Sequence, residues 1–200
     1  IDEDKPELNT IEAIKLLIYT KLNELNKQRV MSIVEIAKEY AFRKHKEVNQ
    51  KYDDKCYTYH LQCVYNTAKD YIHLIPEKDR DDVLASALLH DVIEDARENY
   101  NDVLKQTNSN VADIVYALTN DKGKTRLERA GDKYYKGIRG TKYASFVKLC
   151  DRIANVEYSK EQSSGMYEKY KKENTNFCKK IYDEKYWMIF SYLEYIFTQN

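Results

Sequence analysis

Glycine and proline are scarce in this 200-residue sequence, which contains 5 and 2 of them. Proteins contain on average about 7% glycine and 5% proline, and β-sandwiches and barrels use both residue types in their many turns. The scarcity therefore argues against an all-β fold and favours long helices. No apolar run approaches the ~20 residues of a membrane-spanning helix, so we expect no segment that crosses a bilayer.

An excess of either charge is also missing, since Lys+Arg 33 balances Asp+Glu 33 and the formal net charge is +0. A chain without net charge creates no overall field that attracts nucleic acid or an anionic membrane. We therefore expect neither as a partner, although a local basic pocket is compatible with this balance. The hydrophobic content of 42% is enough to build a core.

The four cysteines show neither a CxxC motif nor any other paired spacing typical of metal ligands. Free thiols are typical of a reducing compartment, so we expect four free cysteines and a cytoplasmic location. Cys150 lies in an apolar run and is expected in the core.

Apolar residues recur at helical spacing along most of the chain, which predicts one all-α domain over residues 1–200. Residues 119–141 contain most of the glycines and are expected to form the longest loop. The first and last helices are expected to pack on a motif-bearing core at residues 33–160. The pattern predicts helices at about 7–26, 30–49, 57–74, 80–95, 111–118, 142–158 and 174–197.

His90 and Asp91 interrupt an otherwise apolar helical pattern and are followed by two further acids, Glu94 and Asp95. An ionised carboxylate is costly to bury unless it is paired or binds a metal, and imidazole with carboxylate oxygen suits a divalent ion. Adjacent helical residues diverge by about 100°, so this pair needs further ligands from other helices. Glu94 and Asp95 lie about one turn later, where they can reach a ligand water or a substrate.

Three motifs together resemble a known family. They are YTYH at 57–60, LLHDVIED at 88–95 and VKLCDRIAN at 147–155. They resemble the PYxxHP, ALLHDxxED and KLADRxxN motifs of the HD superfamily of metal-dependent phosphohydrolases. The branch they resemble is that of the alarmone hydrolases, which comprises the hydrolase domains of Rel/Spo enzymes and the small alarmone hydrolases. Residues 42–45 are similar to the ARKH helix end of that branch, and residues 118–129 to its VTDDK…LER segment.

The resemblance implies an all-α, HD-type bundle of about seven or more helices around a single metal site. Manganese is the ion usual in the family, although another divalent ion is compatible with these ligands. The implied metal ligands are His60, His90, Asp91 and Asp151. The acids associated with activating the water are Glu94 and Asp95, and the implied substrate contacts are Lys51, Tyr57, Arg126 and Asn155. His45 and His73 are not among the implied ligands, and we expect surface or capping roles for both.

The loop before His60 departs from the family pattern RKxxGxPY, since residues 50–57 have the sequence QKYDDKCY. Gln50 stands where the family has an arginine that faces guanine, and the glycine and proline are replaced. Lys51 and Tyr57 are retained. The departure leaves the metal ligands intact and puts recognition of the base in question.

The resemblance therefore implies a manganese-dependent nucleotide phosphohydrolase similar to guanosine-3′,5′-bis(diphosphate) 3′-pyrophosphohydrolases, with a small nucleotide as its substrate. The altered loop keeps another HD-superfamily nucleotidase or deoxynucleotide phosphohydrolase open. A non-catalytic nucleotide sensor is a third hypothesis, and its expected signature is the loss of Glu94 or Asp95, both of which are present. A homo-oligomer is compatible with the apolar last helix.

Overall fold

The computed structural model describes residues 6–28, 31–120, 128 and 130–199, and within them it confirms the all-α prediction. Short 3-10 turns lie at Ile72–Leu74, Glu77–Asp79 and Glu184–Tyr186. The only strands in these residues are β1 (Lys51–Tyr52) and β2 (Lys55–Cys56), which pair as an antiparallel hairpin. The helices are α1 (Pro6–Gln28), α2 (Ile33–Glu47), α3 (Thr58–Asp70), α4 (Arg80–Leu89), α5 (Val92–Asp95), α6 (Tyr100–Gln106), α7 (Ser109–Leu118), α8 (Asp132–Gly140), α9 (Ala144–Glu161), α10 (Gly165–Ile181) and α11 (Trp187–Thr198).

The chain divides into two compact units, Ile1–Ser32 and Ile33–Asn200. In the first unit, α1 carries exposed apolar side chains, of which Leu16 and Leu17 are 67% and 68% exposed. The predicted packing of α1 on the core stays a prediction. No described helix is long and apolar enough to cross a membrane.

In the second unit, two groups of buried apolar side chains form the core. One group joins α3, α4 and α7 to α8–α11 and includes Phe146, Leu149 and Leu193. The other joins α2 to α3–α7 and includes Leu61 and Leu88. Helices α3 and α4 contribute to both groups, so they are fixed from two sides. The last helix, α11, contributes buried side chains to the first group. Cys150 is buried, and all four cysteines are free.

The helix predicted at 80–95 is wrong in one respect, because it breaks at His90 and Asp91. Helix α4 ends at Leu89, Asp91 has φ −106° and ψ 1°, and α5 begins at Val92. The apolar pattern continues through the break because Val92 is again buried, which is why periodicity alone did not reveal it. The break lets two neighbouring polar side chains face the same point.

Two other predicted elements are corrected. Residues 119–141 are not one loop, since α8 lies within them and buries Tyr134, Tyr135 and Ile138 at helical spacing, which outweighs the low helix propensity of its glycines. The helix predicted at 174–197 is divided into α10 and α11, because Asp183 is extended and its side chain accepts a hydrogen bond from the Lys185 backbone.

Two further elements were not predicted. Helix α6 was missed because it buries only Val103, so its pattern is weak; a capping box between Asn99 and Asp102 marks its start. The turn-like segment after α2 forms the hairpin, with Asp53 at a positive φ of 53°, a conformation that Asp tolerates better than most residues.

Candidate metal centre

Three packed helices bring the four predicted metal ligands to one point. His60 lies in the first turn of α3, His90 and Asp91 lie in the break between α4 and α5, and Asp151 lies in α9. Each helix is held by a fully buried apolar residue next to a ligand, namely Leu61, Leu89 and Cys150. The ligand side chains are therefore positioned by the core.

The distances between the donor atoms fit a single ion. His60 Nε2 lies 3.3 Å from His90 Nε2 and 3.3 Å from Asp151 Oδ1. Asp91 Oδ2 lies 2.9 Å from His90 Nε2 and 3.7 Å from His60 Nε2, and Asp151 Oδ1 lies 3.8 Å from His90 Nε2. Two ligand atoms that each lie about 2.1 Å from one ion are at most about 4.2 Å apart, and all of these distances are shorter.

The strictest grouping contains His60, His90 and Asp91, whose donor atoms all lie within 4.8 Å of one another. Asp151 lies outside this group, although its Oδ1 is 3.3 Å from His60 Nε2 and 3.8 Å from His90 Nε2. The donor set and its spacing are thus consistent with a divalent metal.

Neighbouring groups orient the ligands. The Nδ1–H of His90 donates to the Ala87 carbonyl at 2.8 Å, which directs Nε2 toward the Asp91 carboxylate. The ring of His60 stacks on Tyr52 with centroids 4.7 Å apart. The Tyr57 hydroxyl donates to Asp91 Oδ2. These contacts orient the candidate ligands within the cluster.

Lys148 contacts a predicted ligand and was not singled out by the sequence analysis. Its Nζ lies 2.9 Å from Asp151 Oδ2, so it leaves Oδ1 to face the imidazoles. Burial alone would lower the pKa of Lys148, but the Asp151 carboxylate outweighs burial and raises the pKa well above its usual value. The signal was available, because Lys148 precedes Asp151 by three residues and shares its helix face.

The electrostatics of the cluster favour positive charge between the carboxylates. Burial alone would lower the pKa of His90, but Asp91 and Asp151 raise it to about 9. Burial alone would raise the pKa of Asp91 and Asp151, yet His90 lowers the first and Lys148 lowers the second. Both acids are therefore ionised at neutral pH and attract a cation.

The two acids after the ligands have different partners. Asp95 is half-buried, and its Oδ2 accepts a hydrogen bond from Gln50 Nε2 at 2.7 Å. Burial and the neighbouring Asp91 raise the pKa of Asp95, and the hydrogen bond from Gln50 lowers it. Glu94 is exposed and accepts hydrogen bonds from the amide of Asn120 at 2.9 Å. Asp95 thus lies on the buried side of α5 and Glu94 on its solvent side.

The predicted substrate contacts differ in where they lie. Both polar atoms of the Asn155 side chain form hydrogen bonds within the protein. Its Nδ2 donates to Asp151 Oδ1 at 2.6 Å, and its Oδ1 accepts from the Tyr52 hydroxyl at 2.9 Å. Lys51 is exposed on β1, whereas Tyr57 is buried beside Asp91. Arg126 lies outside the described residues.

A cavity of about 350 Å³ lies next to this cluster. Tyr57 belongs to both, because its ring lines the cavity and its hydroxyl contacts Asp91. Three cations and two aromatic rings in its wall suit a ligand that has both negative charge and a ring. The cavity is lined by Phe42, Arg43, His45, Lys46, Asn49, Gln50, Lys51, Cys56, Tyr57 and Thr58.

The expectation of a surface or capping role is wrong for His45, which is fully buried at the end of α2. Its ring stacks on Tyr57, with centroids 4.6 Å apart and planes at 17°. Its Nδ1 lies 2.6 Å from Gln50 Oε1, and its Nε2 has no hydrogen-bond partner among the described residues. The similarity of residues 42–45 to the ARKH motif was the signal for this residue. His73 is exposed, as predicted.

Comparison with known proteins supports the interpretation of these motifs. A stretch of 74 residues is 34% identical to guanosine-3′,5′-bis(diphosphate) 3′-pyrophosphohydrolase MESH1 of Drosophila melanogaster, and covers 37% of this chain and 41% of that protein. A stretch of 75 residues is 31% identical to the MESH1 protein of Danio rerio, which has the same full name, and covers 38% and 42% of the two chains. No protein-family model matches the chain.

The chain spans about two fifths of the length of these curated relatives, at 41% and 42%. The matches confirm the relationship to HD-type alarmone hydrolases that the motifs predicted. The helical structure fits an HD fold of that type.

Proposed function

We propose that this chain is a metal-dependent nucleotide phosphohydrolase that acts on a guanosine 3′,5′-bis(diphosphate)-type alarmone, with manganese as the expected ion. The observation that carries the proposal is the convergence of His60, His90, Asp91 and Asp151, with donor atoms 2.9–3.8 Å from a neighbouring imidazole nitrogen. The relationship to proteins named as 3′-pyrophosphohydrolases supports the choice of substrate.

His60, His90, Asp91 and Asp151 would hold the ion, and Lys148 and Asn155 keep the Asp151 carboxylate in place. When bound, a divalent ion supplies Lewis acidity and a nucleophile that is activated at neutral pH. Asp95 would take the proton of the attacking water, and its carboxylate is held by the hydrogen bond that Oδ2 accepts from Gln50. Its raised pKa brings it nearer to neutrality, where a general base works well.

The adjacent cavity is the proposed nucleotide site. Phosphoryl-transfer enzymes act mainly by positioning the phosphates and stabilising their charge, and Arg43, Lys46 and Lys51 supply positive charge around the cavity. Tyr57 and Phe42 offer rings against which a base or ribose packs. Arg126 remains a proposed phosphate contact, and Glu94 the second acid of the pair.

The test is turnover by the purified full chain, stripped of metal and then reloaded with manganese. We expect pyrophosphate from guanosine 3′,5′-bis(diphosphate), and neither pyrophosphate nor phosphate from GDP, GTP or dGTP. Asp151→Asn is expected to abolish turnover, whereas Asp70→Asn, at an exposed acid at the end of α3, serves as the matched control. Full metal-dependent turnover by Asp151→Asn would overturn the proposal.

A second candidate function is a nucleotidase of broader specificity. The observation that favours it is the altered loop, in which Gln50 turns toward Asp95 and offers no guanidinium to a base. Release of phosphate from ordinary nucleotides in the same assay would support this candidate. Binding of metal and nucleotide without any product would instead support a sensor.

A further inference from the structure

A chain of hydrogen bonds joins the end of α2 to α5 through the side chain of Gln50. Gln50 Nε2 donates to Asp95 Oδ2 at 2.7 Å, and Gln50 Oε1 lies 2.6 Å from His45 Nδ1. An ionised carboxylate only accepts hydrogen bonds, so the amide nitrogen must face Asp95 and the amide oxygen must face His45. His45 Nδ1 therefore carries the proton and donates it to Gln50.

The surrounding contacts fix this amide in place. His45 is fully buried and stacked on Tyr57, so its ring cannot swing away from Gln50 without opening the core. The backbone N–H of Gln50 also donates to the His45 carbonyl at 3.1 Å, which holds Gln50 against the end of α2. Gln50 is thus held at both its backbone and its side chain.

Gln50 connects the wall of the cavity to an acid of α5. Gln50 lies in the wall of the cavity, at the sequence position where the resemblance placed a residue that faces the base. Its amide is instead directed to the one half-buried acid of α5 that lies beside the metal cluster. A carboxylate held through one oxygen presents the other in a defined direction, which is the requirement for proton transfer.

We propose that Gln50 is a positioning residue that holds Asp95 for proton transfer, with His45 as the anchor of its amide, and that it does not select the base. This inference rests on the proposed function, since it assigns Asp95 the task of accepting the proton. Base selection is then left to other groups of the cavity wall.

The first test is Gln50→Leu, which keeps the approximate size of the side chain and removes both hydrogen bonds. Loss of a residue that orients a functional group typically costs about 10–100-fold in activity. We expect kcat to fall by that factor, with KM for the alarmone and the content of bound manganese unchanged. In an Asp95→Asn background, Gln50→Leu is expected to cause no further loss. Gln62→Leu, in an exposed glutamine–asparagine pair within α3, is the matched control.

A rise in KM at unchanged kcat, or a loss that adds fully to that of Asp95→Asn, would overturn the inference, because those results describe a residue that binds substrate. A second measurement requires no substitution at position 50 and no enzyme activity. The side-chain amide signals of Gln50 in a ¹⁵N NMR spectrum are expected to shift in Asp95→Asn and in His45→Phe, while those of Gln62 stay in place. Unshifted Gln50 signals would exclude the hydrogen-bond chain.

The two proposals fail separately. If the wild-type chain turns over no nucleotide while the Gln50 signals shift as expected, the proposed function fails. The hydrogen bond between Gln50 and Asp95 is then confirmed, but the role of Gln50 in proton transfer is overturned. If the wild-type chain is active and Gln50→Leu retains its kcat, the proposed function stands and the role of Gln50 fails.

Discussion

The candidate metal cluster and the cavity beside it are built in different ways. The predicted ligands come from packed helices, and His60, His90 and Asp151 are at most 8% exposed. The cavity wall is formed largely by the end of α2 and by the hairpin, where Lys51 and Cys56 are exposed. Under the proposed function, the chemistry and the specificity would be carried by separate parts of this chain. The buried part retains the motif residues of the resemblance, and the exposed part departs from them.

The largest expected effect is that of Asp151→Asn, which changes a residue of the buried cluster. The variant loses one predicted ligand and leaves the half-buried Lys148 without its carboxylate. Removing one partner of a fully buried pair costs about 3–5 kcal/mol of stability. This pair is partly exposed, so we expect a smaller loss in the free energy of unfolding, together with weak manganese binding and no turnover. Metal content by mass spectrometry and denaturant unfolding measure these effects.

Lys148→Met added to Asp151→Asn separates the two causes. The double variant no longer contains an unpaired ammonium group, so it is expected to recover most of the lost stability and none of the metal. Recovery of metal binding would contradict the role of Asp151 as a ligand.

Asp95→Asn is expected to have the next largest effect, and it separates catalysis from metal binding within the cluster. General acid–base catalysis contributes typically 10²–10⁴-fold, so kcat should fall by about that factor. Manganese content is expected to match the wild type, because Asp95 contacts Gln50 and is no ligand in this arrangement. Steady-state kinetics of the manganese-loaded variant test this, with Glu94→Gln as the comparison on the solvent side of α5.

The sequence predicted the buried part of the molecule better than the exposed part. The convergence of His60, His90, Asp91 and Asp151 could be predicted because these residue types stand at the motif positions of the resemblance; their role as metal ligands stays a prediction. The helices follow from apolar periodicity, and that same periodicity conceals the break at His90, because the residues on both sides of it are buried.

Other residues acquire their roles only through tertiary contacts. Gln50 and His45 lie at the end of α2, and their partner Asp95 lies in α5, far along the chain. No local sequence pattern predicts a contact between residues so far apart in the chain. Lys148 is different, since its spacing from Asp151 is visible in the sequence and only the structure shows that the two side chains are in contact.

A third prediction concerns proton competition for the metal site. With a pKa of about 9, His90 binds a proton at neutral pH when no metal is present, and that proton must leave before Nε2 can bind an ion. Manganese affinity is therefore expected to rise about tenfold per pH unit between pH 7 and pH 8. Calorimetry in buffers of different ionisation enthalpy measures the release of about one proton per ion.

The same group affects the stability of the metal-free protein. The pKa of His90 is raised from 6.5 to about 9, so its stabilising effect is complete below pH 6.5 and is lost as the pH rises through 9. The free energy of unfolding of His90→Gln is expected to lack this pH dependence.

A manganese affinity that is constant from pH 7 to pH 8 would contradict the prediction of proton competition.

The smallest expected effect is that of Lys51→Ala, which tests the exposed wall of the cavity. Lys51 is exposed and lines the cavity, so its removal leaves the fold and the metal cluster intact and removes one charge from the proposed phosphate site. An exposed charge contact is worth about 1 kcal/mol, which corresponds to a rise in KM of about fivefold at unchanged kcat. Lys69→Ala, at an exposed lysine near the end of α3, is the control. Equal kinetics for the two variants would show that the cavity wall at β1 does not contact the substrate, and would leave Arg43 and Lys46 as its remaining cations.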